Sequence, residues 1–143
     1  MLGVLIAIIS GTLMSIQGVF NTGVAKQTNI WLANGFVQFT AFIICVGAWL
    51  FTGHESSLGA LFKIDNKYML LGGVIGALIT FTVIKSMDML SPAHAIIVIV
   101  VSQLLVAYLI ELFGLFGVEH ADFEIRKLIG VVLAVSGIVV FKW

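Results

Sequence analysis

The chain has 143 residues, of which 61% are hydrophobic and 10% charged, and seven basic residues balance seven acidic ones. That charge content is less than half the roughly 25% of a soluble domain and the reverse of a disordered composition, and without a basic excess a nucleic-acid binder has no electrostatic footprint. With a mean hydropathy of +1.20, the remaining class is an integral membrane protein.

A spanning helix needs about 20 mostly apolar residues, and five stretches meet or approach that, at 2–24, 30–51, 68–84, 93–117 and 127–143. Runs such as LLGGVIGALITFTVI do not alternate as barrel strands would. The prediction is all-α: a polytopic bundle of five transmembrane helices forming a single domain.

The first span begins at the second residue with no basic stretch before it, so it reads as a retained helix rather than a signal peptide. Gly3, Ala7, Gly11 and Ser15 form a ladder of small residues at four-residue spacing, the pattern of a helix–helix contact. Gln17 and Asn21 follow one turn apart on a shared face. In the second span, Trp31 and Trp49 stand 18 residues apart, about 27 Å at helical rise, as an aromatic belt at each interface. Asn34 and Gln38 repeat the carboxamide pair there. The connection 53–67 is the longest and predicts one amphipathic turn starting near Ser57, with Leu58, Leu61 and Phe62 on the interface.

The third span opens on Tyr68 and carries Gly72 and Gly76 as GxxxG, beside Gly73 and Ala77. A tight turn is expected over 85–92, with Lys85 and Asp88 able to pair locally and Pro92 starting the next helix. His94 then reads as interfacial. The fourth span holds Ser102, Gln103, Tyr108 and Glu111, the last about six residues before the expected end, roughly 9 Å inside it. The segment 118–126 is the most acidic patch. The fifth span is the shortest, with Gly130, Ala134 and Gly137 for packing and Trp143 closing it.

Polar groups in lipid are costly and need a use. Gln17, Asn21, Asn34, Gln38, Gln103 and Tyr108 can either line a cavity for a small solute or bond across helices as glue. Glu111 suits proton coupling or a cation's counter-charge; the alternatives are a glutamate leaning to the interface, or a salt bridge with Lys85 or Arg126. A lone cysteine, Cys45, excludes a disulfide framework and a Cys-based zinc site, and His54, His94 and His120 have no metal-ligand spacing. No cofactor is expected. No nucleophile–base pair is visible, so catalysis is not expected either.

Five spans place Lys63, Lys67, Arg126 and Lys127 on one side and Lys26, Lys85 and Lys142 on the other. Lys/Arg bias sets orientation, and four against three is too even to fix one. The chain is also too short for internal inverted repeats. Both points suit insertion in two orientations and assembly as an antiparallel pair.

The sequence resembles the YdcZ-like inner-membrane exporters, a small branch of the drug/metabolite transporter superfamily. The likeness covers nearly the whole length: GTLMSIQGVFNTGVAK with Gln17 and Asn21, LGGVIGALITFTVI, VVSQLLVAYLIELFGLFG with Gln103 and the end at Phe113 to Gly117, and RKLIGVVLAVSGIVV. The family pattern more often has an aspartate where Glu111 stands; the acid is kept with a longer reach. The resemblance implies a five-span bacterial inner-membrane protein that assembles antiparallel, as a homodimer or with an oppositely oriented paralogue. It does not extend to drug–proton antiport of the small multidrug resistance type, whose first-span glutamate is replaced here by Gln17 and Asn21. The expectation is a transporter of a small solute, acting as an antiparallel homodimer by alternating access in the lipid bilayer. An antiparallel dimeric ion channel and a non-transporting membrane subunit of a heteromeric complex are the alternatives.

Overall fold

The computed structural model describes residues 1–52 and 58–142, the side chains of Leu58 and Lys142 apart. The expected turn start at Ser57, the interfacial Leu58 side chain, His54, the Lys142 side chain and the closing Trp143 lie outside the described residues. Five α-helices follow one another: α1 (Leu2–Gln27), α2 (Ile30–Phe51), α3 (Gly72–Leu90), α4 (Pro92–Phe113) and α5 (Ile125–Lys142). Short 3-10 helices occupy Leu58–Lys63, Lys67–Leu71 and Leu115–Gly117.

Among the described residues four segments are long and apolar enough to cross a membrane: α1, α2, Lys67–Leu90 and α4. α5, of 18 residues, is not among them; it carries Arg126, Lys127 and Lys142. Large apolar side chains cover the helix surfaces, with Ile9, Phe42 and Val74 each more than half exposed. In water such patches would drive aggregation; lipid is the solvent that suits them.

Hydroxyls on these surfaces bond within their own helix. Thr12, Ser15, Thr22, Thr82, Ser102 and Ser136 each donate to the carbonyl four residues earlier, at 2.8–3.0 Å. This is how a serine or threonine hides its donor where no water is available.

Two units form, Met1–Met89 and Leu90–Trp143. In the first, α1 and α2 are joined through Thr28 and Asn29 alone. The Asn29 side chain caps α2 by accepting from the Trp31 N–H at 2.7 Å. α3 is fastened to α2 by carboxamides, Asn34 Nδ2 donating to the Ala77 carbonyl at 2.8 Å and Gln38 Nε2 to Thr80 Oγ1 at 3.2 Å. Against α1 it brings Met87 to Gly18, where an added Cβ would lie 2.8 Å from Met87 Sδ. Ile84, 2% exposed, is the largest fully buried side chain among the described residues. The second unit is the hairpin of α4 and α5, with Tyr108 and Val131 buried.

The ends of α1, α3 and α4 differ from expectation, as do the starts of α3 at Gly72 and α5 at Ile125. α3 continues through Lys85 and Asp88 to Leu90, because those charges sit at the helix end where they reach water, and only the residue before Pro92 leaves the helix. That residue, Ser91, has φ 76° and ψ 154°, a region nearly reserved for glycine. The connection expected over 85–92 is therefore one residue. α4 stops at Phe113 rather than 117, because Gly114 turns left-handed at φ 60°. α1 runs on to Gln27. The two glycines of the ladder, Gly3 and Gly11, meet no neighbour among the described residues: a Cβ there would find nothing within 4 Å, and the same holds at Gly72, Gly73, Gly76, Gly130 and Gly137.

Candidate functional site

The carboxamides expected to act together divide by burial. Asn21 and Asn34 are buried, Gln38 half-buried, and Gln17 exposed. Asn34 sits one turn into α2, 3% exposed, with its Nδ2 bound to Ala77 O and its Oδ1 without a partner among the described residues. The small side chain of Ala77 leaves its carbonyl within reach. Gln38 continues the same seam one turn later, and Thr80 Oγ1 relays that bond to the Gly76 carbonyl at 3.0 Å. Gln17 and Asn21 border an open groove on α1 of about 430 Å³ with Leu13, Met14, Ile16 and Phe20. Thus Asn34 and Gln38 act as glue through their donors, while Asn34 retains an unused acceptor.

In the second unit Tyr108 is buried with its hydroxyl unpaired among the described residues, one turn before Glu111. Gln103 is exposed on α4. Because α4 ends at Phe113, Glu111 lies in its last turn, not six residues inside. Its carboxylate is half-exposed and pairs with Lys127 Nζ at 3.6 Å, and Lys127 also meets Glu124 at 3.5 Å and lies 5.9 Å from the Tyr108 ring centroid. The partner of Glu111 is therefore neither Lys85 nor Arg126. Its backbone carbonyl accepts from Ala121 N at 2.9 Å, which folds the acidic segment back over the end of α4. Tyr108, Glu111 and Lys127 form one cluster at the α4–α5 bend.

Two features went unread in the sequence. Lys127 counted only toward topology, yet a helical hairpin puts the start of α5 beside the end of α4, and that spacing was available. The other lies in the first unit, where α1 and α3 end. Asp88 pairs with Lys26 on α1 at 3.4 Å rather than locally with Lys85. Beside that pair a cavity of about 270 Å³ opens between the ends of α1 and α3 and the start of α2. No spacing within one helix reports it. Among the described residues no group of His, Cys, Asp and Glu could hold a metal ion.

No curated protein and no solved structure matches the chain. A family model does, over residues 2–140, and its description is "Putative inner membrane exporter, YdcZ". Its reach from α1 into the last turn of α5 takes in all the carboxamides, Tyr108 and the Glu111–Lys127 pair, and matches a multi-pass membrane chain with a transporter rather than an enzyme. The chain belongs to the YdcZ family of inner-membrane exporters.

Proposed function

We propose that this protein exports a small solute by alternating access, as an antiparallel homodimer in a bacterial inner membrane, with all five helices spanning. The observation that carries the transport reading is two buried polar atoms in apolar spans that have no partner among the described residues, Asn34 Oδ1 and Tyr108 OH. Glue residues bond fully, since an unsatisfied buried polar group costs about 1–3 kcal/mol. Groups held open at that cost are suited to meet a passing polar solute. Gln17, Asn21 and the carboxamide oxygen of Gln38 in the first unit, and Gln103 in the second, are the further polar groups proposed to meet the solute.

Glu111 is the coupling group. Taking up a proton would release Lys127 from its 3.6 Å pair and change the charge at the α4–α5 bend. The balanced Lys/Arg count supports insertion in two orientations. A chain without inverted repeats gains that symmetry from an oppositely oriented partner. At 18 residues, α5 is about 27 Å long, enough to span.

The topology is tested by single cysteines at Lys26 and Lys63 on a Cys45→Ser background, labelled in intact cells. Labelling of each site from both faces supports the antiparallel pair, and one-sided labelling refutes it. In proteoliposomes, transport by Glu111→Gln should lose its pH dependence; an unchanged profile removes Glu111 from the coupling role.

A further inference from the structure

The cavity at the end of the first unit is not absorbed by the transport path. Its wall combines Trp31 and Phe81, stacked with ring centroids 4.6 Å apart, with Ile84, and its rim carries Lys26, Lys85 and Asp88. Asp88 is engaged by Lys26 at 3.4 Å. Lys85 has no acid or hydrogen-bond acceptor among the described residues. The formal charge of the lining is therefore +1, from two lysines and one aspartate. The first turn of α2 adds the positive end of a helix dipole. All these residues lie where α1 and α3 end and α2 begins, at one edge of the apolar spans.

We propose that this cavity binds an organic monoanion. Its apolar body lies against Trp31, Phe81 and Ile84, and its carboxylate or phosphate sits on Lys85. Size limits the body: drug-sized ligands occupy about 300–1,000 Å³, so a cavity of about 270 Å³ takes a single ring or a short branched chain. Charge sets the sign, because a cation would meet an unneutralised lysine while the only acid on the rim is already paired. A neutral analogue would leave Lys85 unmatched. Two sources present this chemistry at the membrane edge, an aqueous carboxylic acid and the headgroup region of an anionic phospholipid. The alternative for Lys85 is to extend into water and hold nothing.

The test uses the full chain with Trp49→Phe and Trp143→Phe, so that Trp31 is the sole tryptophan, in phosphatidylcholine nanodiscs. Sodium benzoate, benzamide and benzylamine are titrated against Trp31 emission. Benzoate should give a saturable change. Benzamide and benzylamine should not. Lys85→Gln should weaken benzoate by about ten-fold or more, the scale of one charge-assisted hydrogen bond, and Lys85→Arg should retain binding. A second set of discs contains phosphatidylglycerol and is read first without solute and then with benzoate. A Trp31 shift there that Lys85→Gln abolishes, with benzoate now competing poorly, assigns the site to lipid. Equal benzoate affinity in both discs assigns it to the soluble acid. The proposal is overturned if benzamide matches benzoate, or if Lys85→Gln changes neither the benzoate nor the phosphatidylglycerol response. None of these readings requires transport, so the exporter assignment and this site can fail separately.

Discussion

Replacing Asn34 by leucine separates a residue kept for function from one kept for stability. The side chain is 3% exposed and makes one hydrogen bond, from Nδ2 to Ala77 O at 2.8 Å. Within a membrane such a bond is worth about 0.6 kcal/mol on average and at most about 1.7. The Ala77 carbonyl keeps its place in the α3 ladder, so nothing is orphaned by losing the amide. On the other side stands Oδ1, buried without a partner, a penalty of about 1–3 kcal/mol. Leucine has nearly the same branching and removes both. With the average bond value the balance favours Asn34→Leu by about 0.4–2.4 kcal/mol, against the usual destabilisation when a buried residue is replaced. Reversible unfolding in mixed micelles reads the difference, and solute flux in proteoliposomes should fall in the same variant. A loss of stability of about 2 kcal/mol or more would show that Oδ1 has a partner in the membrane and that Asn34 is glue, refuting the reasoning.

Other substitutions test separate points. Tyr108→Phe deletes the second unpaired buried group and should leave unfolding unchanged or raise stability by up to about 1 kcal/mol, with lowered flux; a clear drop in stability would mean the hydroxyl is bonded. Ser91→Gly relieves the φ of 76°, and after the entropy cost of glycine and loss of the Ser91–His94 contact should stabilise by about 0.5–1 kcal/mol, read as a rise in Tm. Gly18→Leu places a side chain into Met87 and should destabilise by about 1–3 kcal/mol, whereas Gly11→Leu, with nothing within 4 Å, should leave the monomer's unfolding unchanged; equal effects would mean that the α1–α3 contact is misplaced.

Hydropathy made the spans legible because length and apolarity are properties of one segment at a time. Both ends of α2, at Ile30 and Phe51, match the expected span for that reason. What failed depended on backbone conformation or on a second helix. Gly114 ends α4 by turning left-handed, while the apolar run continues to 117 and hides the stop; Glu111 moves from six residues inside the span to its last turn as a result. Lys85 and Asp88 looked like a turn because charges mark span ends, but charges do not break a helix. The four-residue ladder at Gly3, Ala7, Gly11 and Ser15 fits a helix contact, yet the close approach occurs at Gly18. Gly18 stands outside the ladder, and Met87 faces it. Local spacing can reveal a smooth face but cannot say where a partner lies. The carboxamides were legible as residues requiring an explanation; which atoms stay unpaired depends on Ala77 and Thr80, more than 40 positions away.

The self-contained hydroxyls bear on how the chain is made. Each spends its donor four residues back, so α1 and α4 carry serines and threonines into lipid without waiting for a neighbour. α2 differs, since Asn34 and Gln38 take their partners from α3, 43 and 42 residues later. During synthesis α2 must therefore linger at the insertion machinery, or sit shallow, until Thr80 has emerged. Site-specific crosslinking of α2 at successive nascent-chain lengths should show its release coinciding with the arrival of α3. Release before that point would break the link between these two bonds and the order of assembly.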